Sequence, residues 1–99
     1  MSKRGEGSST THPQPDHEML TAFGGRVRAL RIAQGWSAER LAQESSLTIS
    51  SVSRIERAMQ EPLLSTVMLL METLDVTPAQ LLADVPVPPR RRSWPTERT

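Results

Sequence analysis

The segment TISSVSRIERAMQEP, residues 48–62, places hydroxyl and guanidinium side chains at helical spacing. If residues 48–59 form one helix, its apolar residues Val52, Ile55 and Met59 share a face that can be buried. The opposite face then shows solvent the side chains of Ser50, Ser53, Arg54 and Arg57. Guanidinium groups bond well to phosphate and to guanine, whereas serine discriminates weakly between bases. Such a face is compatible with nucleic-acid binding, although exposed arginines more often simply solvate a surface.

Composition excludes several kinds of functional site. The 99 residues include no cysteine, and the two histidines, His12 and His17, lie in a polar N-terminal stretch. Disulfides and thiolate metal sites are therefore excluded, and the sequence has no His/Cys/Asp constellation or glycine-rich phosphate loop. No apolar run approaches the ~20 residues that cross a bilayer, and no secretory signal is recognisable. We therefore expect a cytoplasmic protein that is not an enzyme and that has no metal or other cofactor.

Charge and composition divide the chain into three parts. Residues 1–16 are rich in Ser, Thr, Gly and Pro and predict a disordered tail, because they cannot offset their ordering entropy. Residues 85–99 contain four prolines, carry a net charge of +3 and predict an extended, Arg-rich tail. Residues 17–84, between them, predict one small domain. The overall net charge of +1 does not argue against nucleic-acid binding, which needs a basic face rather than a basic total.

Apolar periodicity predicts five helices in the domain, and no segment alternates with the period of two expected of a strand. In the first helix, Phe23, Val27 and Leu30 recur at helical spacing, and Gly35 is expected to end it. The adjacent glycines at positions 24 and 25 should weaken this helix by about 1 kcal/mol each relative to alanine. The sequence therefore predicts an all-α fold.

The other four helices begin at recognisable capping residues. A Ser or Thr side chain at this position accepts a hydrogen bond from one of the first helical N–H groups. The segment from Thr77 to Gln80 also places Pro78 at the first helical position and can form a capping box. The predicted capping residues are Ser37, Thr48, Ser65 and Thr77.

The second and third predicted helices are separated only by SSL, residues 45–47, which is typical of a helix-turn-helix unit. At this point the sequence resembles the phage-repressor-like (Xre/Cro-type) helix-turn-helix DNA-binding domains. The resemblance covers about 62 residues, 23–84, through RVRALRIAQGWS, ERLAQESSLTISSVSRIER, EP and VMLLMETLDVTPAQLL in that order. It implies a compact five-helix, lambda-repressor-like domain with the helix-turn-helix at helices two and three, flanked by flexible tails.

The resemblance implies which residues of the third helix contact double-stranded DNA. In this family the helix lies in the major groove, and the positions matching base contacts are Ile49, Ser50, Ser53 and Arg54. Arg54 would contact guanine, since the helix has no asparagine or glutamine for bidentate contact with adenine. Arg57 and the loop that follows it match phosphate contacts, and Thr48 and Ser51 complete the DNA-binding surface.

Helix two of this family directs its N-terminal amides at the DNA backbone, a role that Ser37 and Ala38 inherit. The family often has Gln where Ala38 stands, so a side-chain contact to DNA is missing, and Arg40 is a candidate to replace it. The family also usually has Gly where Ala58 stands, at the end of helix three. The resemblance therefore does not predict the geometry of the loop at residues 59–61.

Arg31 in helix one and Glu56 in helix three match a family ion pair that joins these helices. We assign both residues to structure rather than to DNA contact. Removing one partner of a buried ion pair can cost ~3–5 kcal/mol of stability.

The fourth predicted helix is apolar on nearly all sides, whereas a surface helix normally keeps a polar face. Leu63, Met68 and Leu69 have no place in its inward stripe. They indicate either a subunit interface or additional core beneath one of the tails. We favour the interface, which predicts a homodimer on a palindromic operator with half-sites ~34 Å apart.

Two functional classes are compatible with these features. The first is a bacterial or phage sequence-specific transcriptional regulator, such as a restriction–modification controller, an antitoxin or a small repressor. Its activity would be set by abundance, a partner protein or autorepression. The alternative is a protein-interaction module in which helix 65–74 and the basic tail bind a partner, with weak or no specific DNA binding. In that tail, Arg90 to Arg92 are either a solvated end or an arm on DNA, and Trp94 is a candidate docking residue.

Overall fold

The computed structural model describes residues 14–88, and every regular element in that range is an α-helix. In chain order the five helices are α1 Gln14–Ala33, α2 Ala38–Ser45, α3 Ile49–Glu56, α4 Leu64–Leu74 and α5 Pro78–Leu81. This confirms the all-α prediction and the helix-turn-helix at α2 and α3. α1 begins three residues before the expected start of the domain, and Val85, just beyond its expected end, packs against the core. Residues 1–13 and 89–99 of the two predicted tails lie outside the described residues.

Three of the four predicted capping residues occupy their predicted positions. The hydroxyl oxygens of Ser37 and Thr48 each accept a hydrogen bond, at 3.0 Å, from the N–H three residues further on. At the start of α5 the hydroxyl of Thr77 accepts from the Gln80 N–H at 3.1 Å, and Gln80 Oε1 accepts from the Thr77 N–H at 2.8 Å. These bonds pair N–H groups that have no partner inside the helix, and they set the first residue of α2, α3 and α5.

The prediction for the start of α4 was wrong. Ser65 lies inside the first turn, and Leu63 occupies the capping position without a side-chain hydrogen bond. The N–H of Val67 closes that turn on the Leu63 carbonyl oxygen at 3.0 Å. An apolar cap forgoes roughly 1 kcal/mol relative to serine, and burial of Leu70 on the inner face of α4 offsets this loss.

α3 is shorter than predicted, because it ends at Glu56 rather than at Met59. Ala58 adopts a left-handed backbone with φ 61°, and the N–H of Met59 bonds to the Arg54 carbonyl oxygen at 2.7 Å. This is the geometry with which a glycine commonly closes a helix, and here an alanine adopts it. Met59 therefore leaves the predicted apolar stripe and is exposed.

α1 continues without a break through both of its internal glycines and ends before Gly35, whose φ of 76° confirms the predicted stop. The first internal glycine has a packing role that the sequence does not reveal. A Cβ at Gly24 would collide with the carbonyl oxygen of Ile55 and lie 2.8 Å from that of Glu56. Gly24 therefore allows the backbones of α1 and α3 to approach closely.

The hydrophobic core draws apolar side chains from all five helices, and α3 packs against both α1 and α2. Its buried members are Phe23, Val27, Leu41, Ala42, Val52, Ile55, Leu70, Leu74 and Leu81. Ser45 is the polar side chain buried with them, and its hydroxyl donates to the Leu41 carbonyl oxygen at 2.6 Å. The inner face of α3 is thus fixed, and its outer face is left to solvent.

Candidate nucleic-acid interface

The turn between α2 and α3 consists of Ser46, Leu47 and Thr48. Ser46 adopts a left-handed φ of 62°, and the Leu47 side chain packs against the core. Val52 and Ile55 on α3 are only 1% and 2% exposed. Because Leu47 in the turn and Val52 and Ile55 in the helix are all packed into the core, α3 cannot rotate about its axis, and one defined face of the helix meets the solvent.

Most of the residues predicted to contact bases or phosphate lie on that outer face. Opposite the buried residues, at helical spacing, are Ser50, Ser53, Arg54 and Arg57. We refer to these four residues as the polar face of α3. Ile49, with 49% of its surface exposed, and Ser51, which is half-buried, flank this face on either side. Thr48 is exposed, but its hydroxyl oxygen is already engaged as the helix cap.

The loop after α3 supplies a partner for each arginine of the polar face. Arg54 Nε donates to Gln60 Oε1 at 2.7 Å, and Arg57 Nη2 lies 3.1 Å from Met59 Sδ. Neither partner carries a negative charge that would offset the charge of the guanidinium group. Gln60 is a functional candidate that sequence analysis missed, because it lies beyond the helix and becomes a neighbour of Arg54 only through the left-handed turn at Ala58.

The N-terminus of α2 is exposed beside its cap. Ser37 is exposed and Ala38 packs partly against the core, so Ala38 can offer DNA only its backbone N–H. Arg40 Nε donates to Glu44 Oε2 at 2.8 Å, and its guanidinium carbon lies 5.0 Å from the centre of the Trp36 ring. The carboxylate of Glu44 offsets the charge of Arg40, so this arginine is a weaker candidate for phosphate than those of α3.

The predicted ion pair between Arg31 of α1 and Glu56 of α3 is present, and Arg31 also bonds to the loop between α1 and α2. Arg31 Nε and Nη2 donate to the two carboxylate oxygens at 2.7 and 2.9 Å, and Nη1 donates to the Trp36 carbonyl oxygen at 2.9 Å. The two side chains are only 12% and 7% exposed. The hydrogen bond to Glu56 raises the pKa of Arg31, burial opposes this shift, and the charge of Glu56 adds to it. The pair ties the end of α1 to the end of α3.

α4 and the residue that caps it expose several large apolar side chains to solvent, as the composition predicted. Leu63 and Met68 are 73% and 55% exposed, and Leu69 is 38% exposed. Leu64, which the sequence analysis did not single out, is 75% exposed and lies one turn before Met68. We refer to these four leucine and methionine residues as the α4 patch. Leu64 could have been identified from the sequence, because it lies one helical turn before Met68.

Between residues 14 and 88, no cluster of His, Cys, Asp or Glu is arranged to hold a metal ion. None of the described helices is long and apolar enough to cross a membrane.

Comparisons with known proteins agree with this geometry. A helix-turn-helix family model matches residues 27–81, whereas a search of curated proteins gave no match. Among solved structures, the restriction-modification controller protein C.AhdI from Aeromonas hydrophila is 40% identical with a TM-score of 0.61, over 63% of this chain and 94% of that one. The hypothetical transcription factor NHTF from Neisseria is 28% identical with a TM-score of 0.63, over 82% and 87% of the two chains.

A third similar structure was solved with nucleic acid. The restriction-modification controller C.Esp1396I, as a tetramer in complex with its natural 35-base-pair operator, is 25% identical with a TM-score of 0.60, over 64% of this chain and 83% of that one. The match to the family model spans more than half of the present chain and includes the C-terminal part of α1 and all of α2, α3, α4 and α5. The chain belongs to the helix-turn-helix family of Xre-like DNA-binding transcriptional regulators.

Proposed function

We propose that this protein binds a specific double-stranded DNA operator as a homodimer, with α3 in the major groove. One observation carries the proposal: α3 is fixed by buried Val52 and Ile55 and by the ion pair of Glu56, while Arg54 and Arg57 face solvent without a compensating negative charge. A rigid helix with an uncompensated basic face is what reading a groove requires.

Within this interface the residues divide between base and phosphate contacts. We assign Arg54 to guanine, Ser50 and Ser53 to neighbouring base edges, and Ile49 to a thymine methyl group. Arg57, at the end of the helix, is assigned to phosphate. The backbone amides at Ser37 and Ala38 add a phosphate contact from the N-terminus of α2, and Arg40, Thr48 and Ser51 border the surface.

We assign the dimer contact to the α4 patch. Its four large apolar side chains are exposed at the start and along the solvent side of a helix whose other side is already buried in the core. Exposed apolar patches of this kind commonly mark interfaces, and a two-fold contact buries the same patch on both subunits. A dimer also doubles the number of base contacts, which compensates for the small number that one polar face can make.

The biological role that we propose is that of a restriction–modification controller. The 40% identity to C.AhdI, which spans almost all of that controller, favours this role over that of an antitoxin or another small repressor. Such a regulator acts on DNA in the cytoplasm. The role predicts that the operator lies beside the genes of a restriction–modification system.

A second function, capture of a partner protein by α4, is supported by the same α4 patch. The two functions separate in one experiment, selection of the full chain against a random duplex pool followed by sequencing. We expect enrichment of a palindromic site centred on guanine contacts, with half-sites ~34 Å apart. Absence of any enriched site, together with no salt-dependent binding to random duplex, would contradict the DNA-binding proposal and favour a protein partner.

A further inference from the structure

We propose that Gln60 is a positioning residue for base recognition: it holds the guanidinium group of Arg54 in the orientation that contacts guanine. The inference rests on the proposed function, because it assigns a role within the same interface. Gln60 lies outside α3, in the loop that follows it, and is not among the residues named from the sequence as base contacts.

The backbone after α3 brings the two side chains together. The N–H of Met59 bonds to the Arg54 carbonyl oxygen at 2.7 Å, and Ala58 has a left-handed φ of 61°, so the chain folds back beside the last turn of the helix. The half-buried Gln60 follows immediately, and its Oε1 accepts a hydrogen bond from Arg54 Nε at 2.7 Å. The backbone turn that ends α3 therefore also places the Gln60 side chain beside Arg54.

This hydrogen bond selects one mode of guanine recognition. A guanidinium group has five N–H donors in a fixed plane, and Nε carries one of them. With Nε engaged by Gln60, the four N–H bonds of Nη1 and Nη2 stay free to contact guanine O6 and N7 end-on. An arginine held in this way has also lost part of its rotamer freedom before DNA arrives, which lowers the cost of binding.

The choice of an amide partner preserves the charge of Arg54. At Arg40, by contrast, the partner is the carboxylate of Glu44, which offsets the charge of the guanidinium group. Gln60 supplies an acceptor oxygen of similar geometry without a negative charge facing the phosphates. Arg54 thus combines a fixed orientation with a positive charge that no carboxylate partner offsets.

The first test is made on the full chain without DNA. The Nε–H signal of Arg54, observed by nitrogen-resolved NMR, should exchange slowly with water in the wild type and faster in Gln60→Met, which keeps the length of the side chain but lacks the acceptor. Met59→Leu, a change in the same loop, should leave that signal as it is. Equal exchange in wild type and Gln60→Met would overturn the hydrogen bond and the proposal with it.

The second test uses duplexes that carry the selected site or the same site with the Arg54 guanine replaced. Gln60→Met should reduce the preference for the guanine site by roughly three- to tenfold, the effect of one lost hydrogen bond, and should leave binding of random duplex unchanged. Gln60→Glu should keep the guanine preference but weaken binding to all sequences, because it retains the acceptor and adds a negative charge. In an Arg54→Ala background, Gln60→Met should have no further effect on preference.

The outcomes separate this inference from the function on which it rests. An unchanged guanine preference in Gln60→Met, or equal losses on specific and random duplex, would overturn the positioning role while DNA binding stood. Failure of the wild type to prefer any duplex would instead overturn the proposed function, and the base-positioning role with it, even if the NMR signal showed the bond.

Discussion

At the scale of single residues, four arginines around the helix-turn-helix differ in the partner that each one has. Arg31 and Arg40 pair with carboxylates, whereas Arg54 and Arg57 bond to uncharged side chains. Only the second pair therefore places uncompensated positive charge at the polar face of α3. The contacts of this face with DNA stay a prediction, and the division of roles between its two arginines can be tested.

Alanine substitutions should separate a base contact from a phosphate contact. Arg54→Ala should relax the preference at one base pair by ~1–3 kcal/mol, the value of a bidentate contact to guanine. Arg57→Ala should weaken binding to all sequences about equally and reduce the slope of log affinity against log salt by about 1. Fluorescence anisotropy with specific and random duplexes over a range of salt concentrations measures both effects. Identical behaviour of the two variants on both duplexes would contradict this division.

The ion pair of Arg31 and Glu56 should contribute to stability rather than to DNA contact. Glu56→Ala should lower the free energy of unfolding by about 3 kcal/mol, because it leaves the Arg31 charge largely buried without its partner. Urea unfolding followed by circular dichroism measures the loss, and Glu72→Ala, at an exposed position of α4, is the control. The double variant Arg31→Met/Glu56→Leu should recover part of the loss, since no charge is then buried alone.

The pKa of Arg31 sets the pH at which its part in the ion pair is lost. A pKa raised in the folded state means that the stabilisation is fully present below the unfolded value and is lost only as the pH rises through the folded value. For arginine both values lie far above neutrality. The Arg31 side of the pair should therefore cause no pH dependence of the Glu56→Ala effect between about pH 6 and pH 8, and a strong change over this interval would contradict this assignment.

At the scale of secondary-structure elements, the position of α3 depends on how closely α1 approaches it. The two glycines of α1 offer a matched test, because they are adjacent in one helix and differ in surroundings. A Cβ at Gly24 meets backbone oxygens of α3, whereas a Cβ at Gly25 meets nothing within 4 Å. The same substitution should therefore have opposite effects at the two positions.

Gly24→Ala should destabilise the protein by about 1–3 kcal/mol, the usual cost of an overpacked contact, in spite of its better helix propensity. Gly25→Ala should stabilise it by about 0.5–1 kcal/mol, because alanine loses less backbone entropy on folding. Urea unfolding of the two variants under the same conditions measures the difference. Stabilisation by both substitutions would show that the α1–α3 contact yields more easily than the structure indicates.

At the scale of the whole molecule, the inner side of α3 is buried against the core, whereas the side chains of the α4 patch are exposed to solvent. Leu69→Glu introduces a charge into this patch at a position that is already partly exposed, so the monomer should fold normally. We expect it to sediment as a monomer. It should also bind the palindromic site more weakly than the wild type, because two separate monomers must then occupy the two half-sites. Ile32→Glu, at an exposed aliphatic residue of α1, should leave the dimer intact.

Sedimentation also distinguishes between the possible contacts. A dimer that persists in Leu69→Glu would place the subunit contact on another surface. A wild type that sediments as a monomer at all concentrations, yet captures a partner protein through the α4 patch, would support the alternative function.

The sequence was sufficient for features that depend on a few neighbouring residues. Helical periodicity predicted the five helices, and the capping residues Ser37, Thr48 and Thr77 marked where three of them start, because caps act on N–H groups only three residues away. Gly35 marked the end of α1 for the same local reason. The family resemblance then supplied the pair of Arg31 and Glu56, which are 25 positions apart, and which periodicity alone could not have joined.

Only the tertiary structure decided what happens after residue 56. The apolar spacing of Val52, Ile55 and Met59 is the same whether the helix continues or stops, so the sequence pattern extended α3 too far. Packing of the chain beyond the helix selects the left-handed backbone at Ala58, although an alanine gives no local signal for it. That turn leaves Arg57 at the end of the helix and brings Gln60 to Arg54. The sequence by itself therefore determined a helix with a basic face, and the tertiary structure decided how its arginines are held, because side-chain partners depend on the path of the chain rather than on helical spacing.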